Sequence, residues 1–267
     1  MDSKILAAVL LVMAVMAVAF AGCTGTDQPA VKDNGTDVKE EKVTYIVGID
    51  GEYPPYSFID KDGNAQGFDV ESVKWIANEM GFNVKIQPMA WDGIIPALEA
   101  GKIDMVYSGM TITPERLDKV NFSKPYWVVN QAVAVKNGSS VTMDDVTEGK
   151  VVFGVQRGCT AHDWISRNLV ETGKLPEDNL KLYENFPLAV TELENGRVDA
   201  VMYDTPVLID SIKGKDVVKL GTIDTDEEYG IAIRKTDTEL LNTMNEGLDK
   251  LMADPYWNEL IAEYKLE

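Results

Sequence analysis

From Val43 onward, short apolar runs alternate with amphipathic segments, and this alternation restricts the fold more than any other feature of the chain. The runs predicted as strands are 43–49, 83–89 and 102–108, and the segments with helical spacing are 68–80 and 91–100. Gly81 marks the end of the first helix. Strands that alternate with helices form βαβ units, so the sequence predicts an α/β fold with a mostly parallel sheet.

The chain also contains one pattern twice, because "LEAGKIDMVYSG" (98–109) is matched by "LENGRVDAVMYD" (193–204). Each copy runs from a helix end through Gly and a basic residue into a strand. A repeat of about a hundred residues is too long for a solenoid, so it predicts two α/β lobes of similar design. We expect the strand-like runs 128–136 and 228–235 to join the lobes as a two-strand hinge beside a cleft.

The same reasoning divides the chain between the lobes. We expect 43–129 plus 228–267 to form lobe 1 and 130–227 to form lobe 2. Two further helical segments, 237–254 and 255–267, follow the second hinge strand, and we assign them to lobe 1.

The N-terminus is predicted to lie outside this fold. The apolar run 5–20 is shorter than a spanning helix prefers and is followed by small residues, so 1–22 indicate a lipoprotein-type signal peptide with Cys23 as the lipidated residue. An uncleaved anchor helix is the alternative. The polar segment 23–42 is predicted to be a disordered tether. Both alternatives place the folded part outside the cell, anchored to the outer face of the cell membrane.

Composition excludes several classes of partner and site. The net charge of -19 and the pI of about 4.4 argue against nucleic acid and against an anionic membrane surface for the folded part. His162 is the only histidine, and Cys159 is alone if Cys23 is lipidated. We therefore expect no disulfide, no metal site and no cofactor.

Ligands of open α/β sheets bind beyond the carboxyl ends of the strands. The repeat places Ser108 and Gly109 at such an end in lobe 1, and Tyr203 and Asp204 at the corresponding end in lobe 2. We expect these two ends to face each other across the cleft.

An arginine follows the strand end of lobe 1 in "GMTITPER" (109–116). Thr113 and the proline after it are typical of a helix start, whose free N–H groups attract an anion. An arginine in that first turn opposes the helix dipole unless a carboxylate lies over the helix end. Arg116 is therefore a candidate carboxylate ligand, and Thr111 adds a hydroxyl and an N–H. The alternative is a surface ion pair of Arg116 with Glu115 or Asp118.

Asp204 is the complementary candidate. A carboxylate at a strand end can hold an ammonium group, and the alternative is an ordinary helix cap. An anion site and a cation site that face each other across a hinge describe an α-amino acid. In lobe 2, Thr160 and nearby N–H groups can take a second share of the carboxylate.

Other candidates surround this pair. Tyr53 and Trp91 are placed to flank the ligand side chain, although each can instead be a core residue. Asp50, Gln156 and Tyr203 suggest a pocket end that hydrogen-bonds an amide or a cation. Cys159 and His162 are expected to be a small turn residue and a solvent-facing helix residue.

Together these stretches resemble the extracellular solute-binding proteins of family 3, the polar amino acid receptors of ABC importers. The resembling stretches are "DGEYPPYSF" (50–58), "GFDVE" (67–71), 91–126, "GVQRGCT" (154–160), "GRVDAVMYDTP" (196–206) and "YGIAIRK" (229–235). The resemblance implies a fold of the periplasmic-binding-protein type II. It also implies that Arg116, Thr111 and Thr160 bind the α-carboxylate. The same resemblance assigns the α-ammonium to Asp204 and the Gly109 carbonyl.

The sequence thus predicts a monomeric, non-enzymatic receptor that captures a polar L-amino acid and delivers it to an ABC permease. Glutamine, histidine, arginine or lysine are favoured over acidic amino acids. Two alternatives stay open: an enzyme similar to cyclohexadienyl dehydratases, with Asp50 as the nearest candidate acid, and a ligand-sensing subunit of a membrane receptor.

Overall fold

The structure, a computed structural model, describes residues 42–266, which belong to one compact unit. The predicted signal peptide, Cys23 and all but the last residue of the predicted tether lie outside the described residues. Among residues 42–266, no helix combines the length and the apolar character that a membrane span needs.

Short strands and helices alternate along the whole described chain. The strands are β1 Thr44–Ile49, β2 Glu52–Tyr53, β3 Ser57–Ile59, β4 Ala65–Gln66, β5 Asn83–Pro88, β6 Met105–Val106, β7 Val120–Phe122, β8 Trp127–Lys136, β9 Phe153–Gln156, β10 Leu180–Tyr183, β11 Ala200–Asp204, β12 Val217–Tyr229 and β13 Ala232–Arg234. The α-helices are α1 Phe68–Met80, α2 Ile94–Glu99, α3 Pro114–Leu117, α4 Met143–Thr147, α5 Thr160–Ile165, α6 Phe186–Glu194, α7 Thr205–Ser211, α8 Thr238–Ala253 and α9 Pro255–Tyr264. Trp91–Gly93 and Glu177–Asn179 are 3₁₀ turns, and Ser166–Val170 is π-helical.

Two five-stranded sheets of matching design form the framework. Their strand orders are β5-β1-β6-β13-β7 and β10-β9-β11-β8-β12, and a small third sheet contains β2, β3 and β4. In each large sheet three neighbouring strands run parallel. A fourth strand pairs antiparallel with one of them, and a fifth pairs antiparallel with the fourth. The predicted two-lobed α/β fold is confirmed. The chain boundaries of the lobes at 129/130 and 227/228 stay a prediction.

The sequence repeat corresponds to a repeated turn. Gly101 and Gly196 both have φ of 70°, which favours glycine. Three residues later, the carboxylates of Asp104 and Asp199 each accept a backbone N–H at 2.8 Å. The same turn therefore leads into β6 and β11, and it brings the residues after each strand to corresponding positions.

Strands β8 and β12 pair antiparallel and join the two sheets. Their pairing reaches from Lys136 in the second sheet to Trp127 beside Tyr229, where β12 ends. The chain then enters β13 of the first sheet. The predicted single strand 228–235 is wrong in this respect, because Gly230 and Ile231 interrupt it to bond with backbone groups of lobe 1.

Two other element boundaries differ from the sequence prediction. The strand expected over 102–108 is limited to Met105–Val106, because the repeated turn takes up the residues before it. The segment 91–100 begins as a 3₁₀ turn and becomes α-helical at Ile94. The long strand β12 was not expected upstream of 228, since its alternating exposed residues include many acids.

Candidate functional site

The carboxyl ends of the strands in both sheets meet at a narrow interlobe pocket. The pocket is lined by Tyr53, Trp91, Gly109, Thr111, Arg116, Cys159, Thr160, Tyr203 and Asp204. All of these residues except Cys159 are predicted site residues. The structure therefore brings most of the predicted site together, although they come from widely separated parts of the chain.

Arg116 is the cation of this pocket. Its guanidinium donates to the carbonyl oxygens of Thr111 at 2.9 Å and of Gly158 at 3.1 Å, and its Cζ lies 5.5 Å from the centre of the Trp91 ring. The side chain is 8% exposed and makes no ion pair with any residue in 42–266. A buried charge without an opposite charge is costly, so this geometry favours an anionic ligand.

The local sequence explains how Arg116 comes to lie there. Thr113 caps the short helix α3 by accepting the Arg116 N–H at 3.3 Å. The alternative of a surface ion pair is not what the structure contains, because Glu115 pairs with Arg167 at 2.9 Å. Arg116 instead turns inward toward the pocket.

Asp204 is the anion of the pocket. Its carboxylate accepts hydrogen bonds from the hydroxyls of Tyr53 and Tyr229, the latter at 2.7 Å, and from the amide of Gln131. It occupies the N-cap position of α7 but makes no side-chain cap bond, so the cap alternative fails. Burial, followed by the charge of Glu227, raises the pKa of Asp204 to about 6.

Gly109 lies opposite, at the end of lobe 1. It has φ of 54°, and a Cβ there would collide with the Tyr53 ring. Its N–H donates to the Asp69 carboxylate at 2.6 Å, which fixes the orientation of the turn. Asp69 also accepts from the Tyr126 hydroxyl at 3.0 Å, and burial raises its pKa to about 8.

The two threonines of the pocket differ in their hydrogen bonds. Thr111 donates its hydroxyl to Glu227 Oε2 at 2.8 Å, so that hydrogen is already used. Thr160 Oγ1 accepts from Gln131 Nε2 at 3.2 Å, which leaves its own hydrogen available. In this arrangement the Thr111 hydroxyl is occupied by Glu227, and its role toward the ligand carboxylate stays a prediction.

Three predicted residues lie behind the pocket and do not line it. Gln156 donates to Asp50 Oδ2 at 2.8 Å across the lobes, and the Tyr203 hydroxyl donates to Gln156 Oε1. Asp50 and Gln156 line a neighbouring cavity, which also reaches Trp91. Burial raises the pKa of Asp50. Ser108 accepts the Asp50 N–H at 2.9 Å, and its hydroxyl lies 2.7 Å from that of Ser57. It therefore links the residues after β6 to those after β1.

The loop after β9 closes onto lobe 1. The Gly158 carbonyl accepts from Trp91 Nε1 as well as from Arg116, both at 3.1 Å. His162 Nδ1 accepts the Gly158 N–H at 3.3 Å, and burial lowers the pKa of this half-buried imidazole. The expected solvent-facing role of His162 is thus corrected, because the ring holds the loop.

Nothing in the described part of the chain resembles a metal centre or a nucleophilic triad. No group of three potential ligands gathers within residues 42–266. Cys159 caps α5 by accepting the His162 N–H, and burial raises the pKa of its thiol. It is unsuited to act as a thiolate.

Sequence reasoning missed three buried groups and one half-buried group: Asp69, Gln131 and Tyr229, and Glu227. Each contacts a predicted residue through one hydrogen bond or more. Gln131 offers a faint signal, since it is a polar residue inside the apolar run of β8. The others gain their positions only from the packing of distant segments.

Known proteins are similar to this chain over most of its length. The sequence model of the bacterial extracellular solute-binding proteins, family 3, matches residues 45–267. A probable histidine-binding protein of Neisseria gonorrhoeae is 33% identical over 94% of this chain and 92% of its own length.

Solved structures extend the comparison to the fold. An ancestral arginine-binding protein bound to arginine is 37% identical, with a TM-score of 0.77 over 84% of this chain and 99% of its own. An ancestral amino acid-binding protein described as a precursor of cyclohexadienyl dehydratase is 39% identical. Its TM-score is 0.72 over 83% of this chain and 94% of its own.

Proposed function

Because the chain belongs to the bacterial extracellular solute-binding proteins of family 3, we propose that it captures a polar L-amino acid for an ABC permease. The observation that carries the proposal is that Arg116 and Asp204 line the same interlobe pocket. The buried cation has no acid partner in 42–266, and the buried anion makes no ion pair there. An α-amino acid supplies both missing partners, because its carboxylate can pair with Arg116 and its ammonium with Asp204.

Each end of the ligand has its own set of contacts in this proposal. Arg116 binds the α-carboxylate through its guanidinium, and Thr160 donates its free hydroxyl hydrogen. Asp204 and the Gly109 carbonyl accept from the α-ammonium. Tyr53 and Trp91 enclose the start of the ligand side chain.

The side chain of the ligand points, in our proposal, toward Asp50, Gln156 and Tyr203. A ligand amide or cation can replace the Gln156 bond to Asp50 and satisfy the buried carboxylate. This favours glutamine, histidine, arginine or lysine. The names of the relatives support this range, which includes histidine and arginine.

Family members act outside the cytoplasm. For this chain we propose a monomer, anchored to the outer face of the cell membrane by a lipid on Cys23 and delivering its ligand to the permease. Acyl-chain mass on the mature N-terminal cysteine tests the anchor, and an unmodified N-terminus overturns it.

A thermal-melt screen against the twenty amino acids tests the proposed function. A ligand that binds only the folded state at a hundred times its Kd stabilises the fold by about 2.7 kcal/mol. We expect such a shift with one or a few polar L-amino acids that are recovered unchanged. No shift with any of the twenty contradicts the proposal.

The dehydratase-like enzyme remains the second candidate. It is favoured by one observation, a buried Asp204 whose raised pKa of about 6 suits a proton donor. Incubation with prephenate and arogenate, followed by ultraviolet absorbance of the aromatic product, tests it. Product that disappears in Asp204→Asn supports the enzyme, and no product above the buffer rate rejects it.

A further inference from the structure

A fully buried glutamine on the hinge strand β8 touches both ends of the proposed amino acid site. Gln131 is 0% exposed, and its Nε2 lies 3.2 Å from Thr160 Oγ1 and 2.9 Å from Glu227 Oε1. The same nitrogen also donates to Asp204 Oδ1. Thr160 belongs to the carboxylate end of the site and Asp204 to the ammonium end, so one amide connects them.

The amide nitrogen of Gln131 has more oxygen neighbours than it has hydrogens to donate. A side-chain amide nitrogen carries two hydrogens, yet three oxygens surround Gln131 Nε2. Two of these oxygens belong to carboxylates, which attract a donor more strongly than a neutral hydroxyl does. Without a ligand, both carboxylates compete with Thr160 for these hydrogens, so the bond to Thr160, at 3.2 Å the longest of the three, is the weakest.

A bound ammonium changes this competition. When it donates to Asp204, it replaces the hydrogen that Gln131 supplied, and that hydrogen becomes available to Thr160. A Thr160 oxygen that accepts from Gln131 directs its own hydroxyl hydrogen elsewhere, toward the pocket it lines with Arg116. The ligand carboxylate then meets a better-aligned donor.

The amide oxygen shows that stability alone does not explain this residue. Gln131 Oε1 is buried and has no hydrogen-bond partner among the described residues. An unpaired buried oxygen costs free energy, so an apolar side chain of similar shape recovers part of what the amide contributes. The contacts of Nε2, and not those of Oε1, therefore account for an amide at this position.

From these contacts we infer that Gln131 is a positioning residue that couples ammonium binding at Asp204 to carboxylate binding at Thr160. This inference rests on the proposed function. It assigns to Gln131 no direct contact with the ligand, and it predicts that the two ligand charges help each other only while the amide is present.

Gln131→Met tests the coupling, because it keeps the approximate shape and removes the amide. Titration calorimetry is run with L-arginine, L-histidine and L-glutamine, and with the deaminated and the carboxamide derivative of each. Those derivatives lack the ammonium and the carboxylate charge, respectively. We expect the variant to lose about 5- to 150-fold in affinity for a bound amino acid, the usual range of a coupling between sites. For the derivatives we expect a much smaller loss.

The matched control is Gln66→Met, which also removes a glutamine donor from a carboxylate, Asp60 at 2.6 Å, but away from the pocket. It should bind all ligands as the unmodified protein does. Equal losses for amino acids and derivatives in Gln131→Met, or no loss, overturn the inference alone. If none of the three binds, the same titrations are run with the amino acid that shifts the thermal melt, and failure of the unmodified protein to bind any of the twenty overturns the proposed function and the inference with it.

Discussion

The guanidinium of Arg116 is held by two backbone carbonyls and an aromatic ring, and no acid in 42–266 balances its charge. We expect Arg116→Ala to abolish measurable amino acid binding, since a buried charge pair is worth about 2–5 kcal/mol. The fold should remain, because the substitution removes an uncompensated charge. Calorimetry and a thermal melt together check both expectations.

Arg167→Ala is the control for that experiment. Arg167 pairs with Glu115 while half-exposed, and such surface pairs contribute about 0.2–1 kcal/mol. Its loss should change affinity only slightly. Unchanged affinity in Arg116→Ala would remove this residue from the site.

The second residue-scale prediction concerns pH. An ammonium needs the ionised form of Asp204, whose pKa of about 6 means that the free protein takes up a proton below that pH. Amino acid affinity should therefore fall toward about tenfold per pH unit below pH 6 and level off above it. Isothermal titrations from pH 5 to pH 8 measure this profile.

Asp204→Asn supplies the comparison. It should flatten the profile and weaken amino acids more than their deaminated analogues. The same losses for both ligand types would exclude Asp204 from the ammonium site.

The position of a residue in the site was predictable where a sequence motif determined the local course of the backbone. Arg116 and Asp204 follow strand ends that the repeat had already aligned, so their opposition across the cleft could be predicted. The partners of a hydroxyl could not, because Thr111 meets Glu227 across 116 positions of sequence. Ser108 does not line the pocket, because its oxygen accepts the N–H of Asp50, which follows the neighbouring strand β1.

At the scale of elements, the contact between α1 and α8 depends on a glycine. A Cβ on Gly247 would overlap Ile76 Cγ2 and would also lie 3.3 Å from Met80 Cγ. Alanine normally favours a helix interior, but here we expect Gly247→Ala to lower the unfolding free energy by about 1–3 kcal/mol through overpacking. Urea denaturation measures the change.

Asn242→Ala is the control on the same helix. This position is exposed, so the better helix propensity of alanine should stabilise the protein or leave it unchanged. A gain in stability in both variants would mean that the helices separate easily, which contradicts the tight contact.

Elements with strong periodicity were predictable, and interrupted ones were not. The helix over 68–80 has the predicted bounds because its apolar spacing and Gly81 agree. The run 228–235 looks continuous in sequence, yet it bends at Gly230 to cross between sheets. This bend depends on hydrogen bonds between Gly230–Ile231 and backbone groups that are distant in sequence, and local propensity does not predict such contacts.

At the scale of the whole molecule, stability should depend on a buried acid far from solvent. Asp69 has a pKa of about 8, well above its ordinary value, so the native state holds a proton that the unfolded chain releases near pH 4. The contribution of Asp69 to stability is then greatest in acid and falls as the pH rises from about 4 to about 8. Asp204 contributes only below about pH 6, so Asp69 dominates between pH 6.5 and 8.

Thermal melts across that upper range test this sign. The melting temperature of the unmodified protein should decrease with pH, and that of Asp69→Asn should decrease less. A slope that persists in the variant would assign the effect to another group.

The two-lobed arrangement could be predicted because a sequence pattern that occurs twice indicates two structural units of similar design. The closeness of the lobes could not, since it depends on contacts such as Gln156 with Asp50 and Trp91 with Gly158. Those pairs join segments that no local pattern relates.

The Trp91 contact also makes the molecule its own optical sensor. The indole N–H of this tryptophan donates to the Gly158 carbonyl across the cleft, at 3.1 Å. We expect that separation of the lobes would break this bond and expose more of the half-buried indole to water, which would move its fluorescence emission to longer wavelength. Ligand capture can thus be followed in real time without a dye, and Trp91→Phe separates this signal from that of the other four tryptophans.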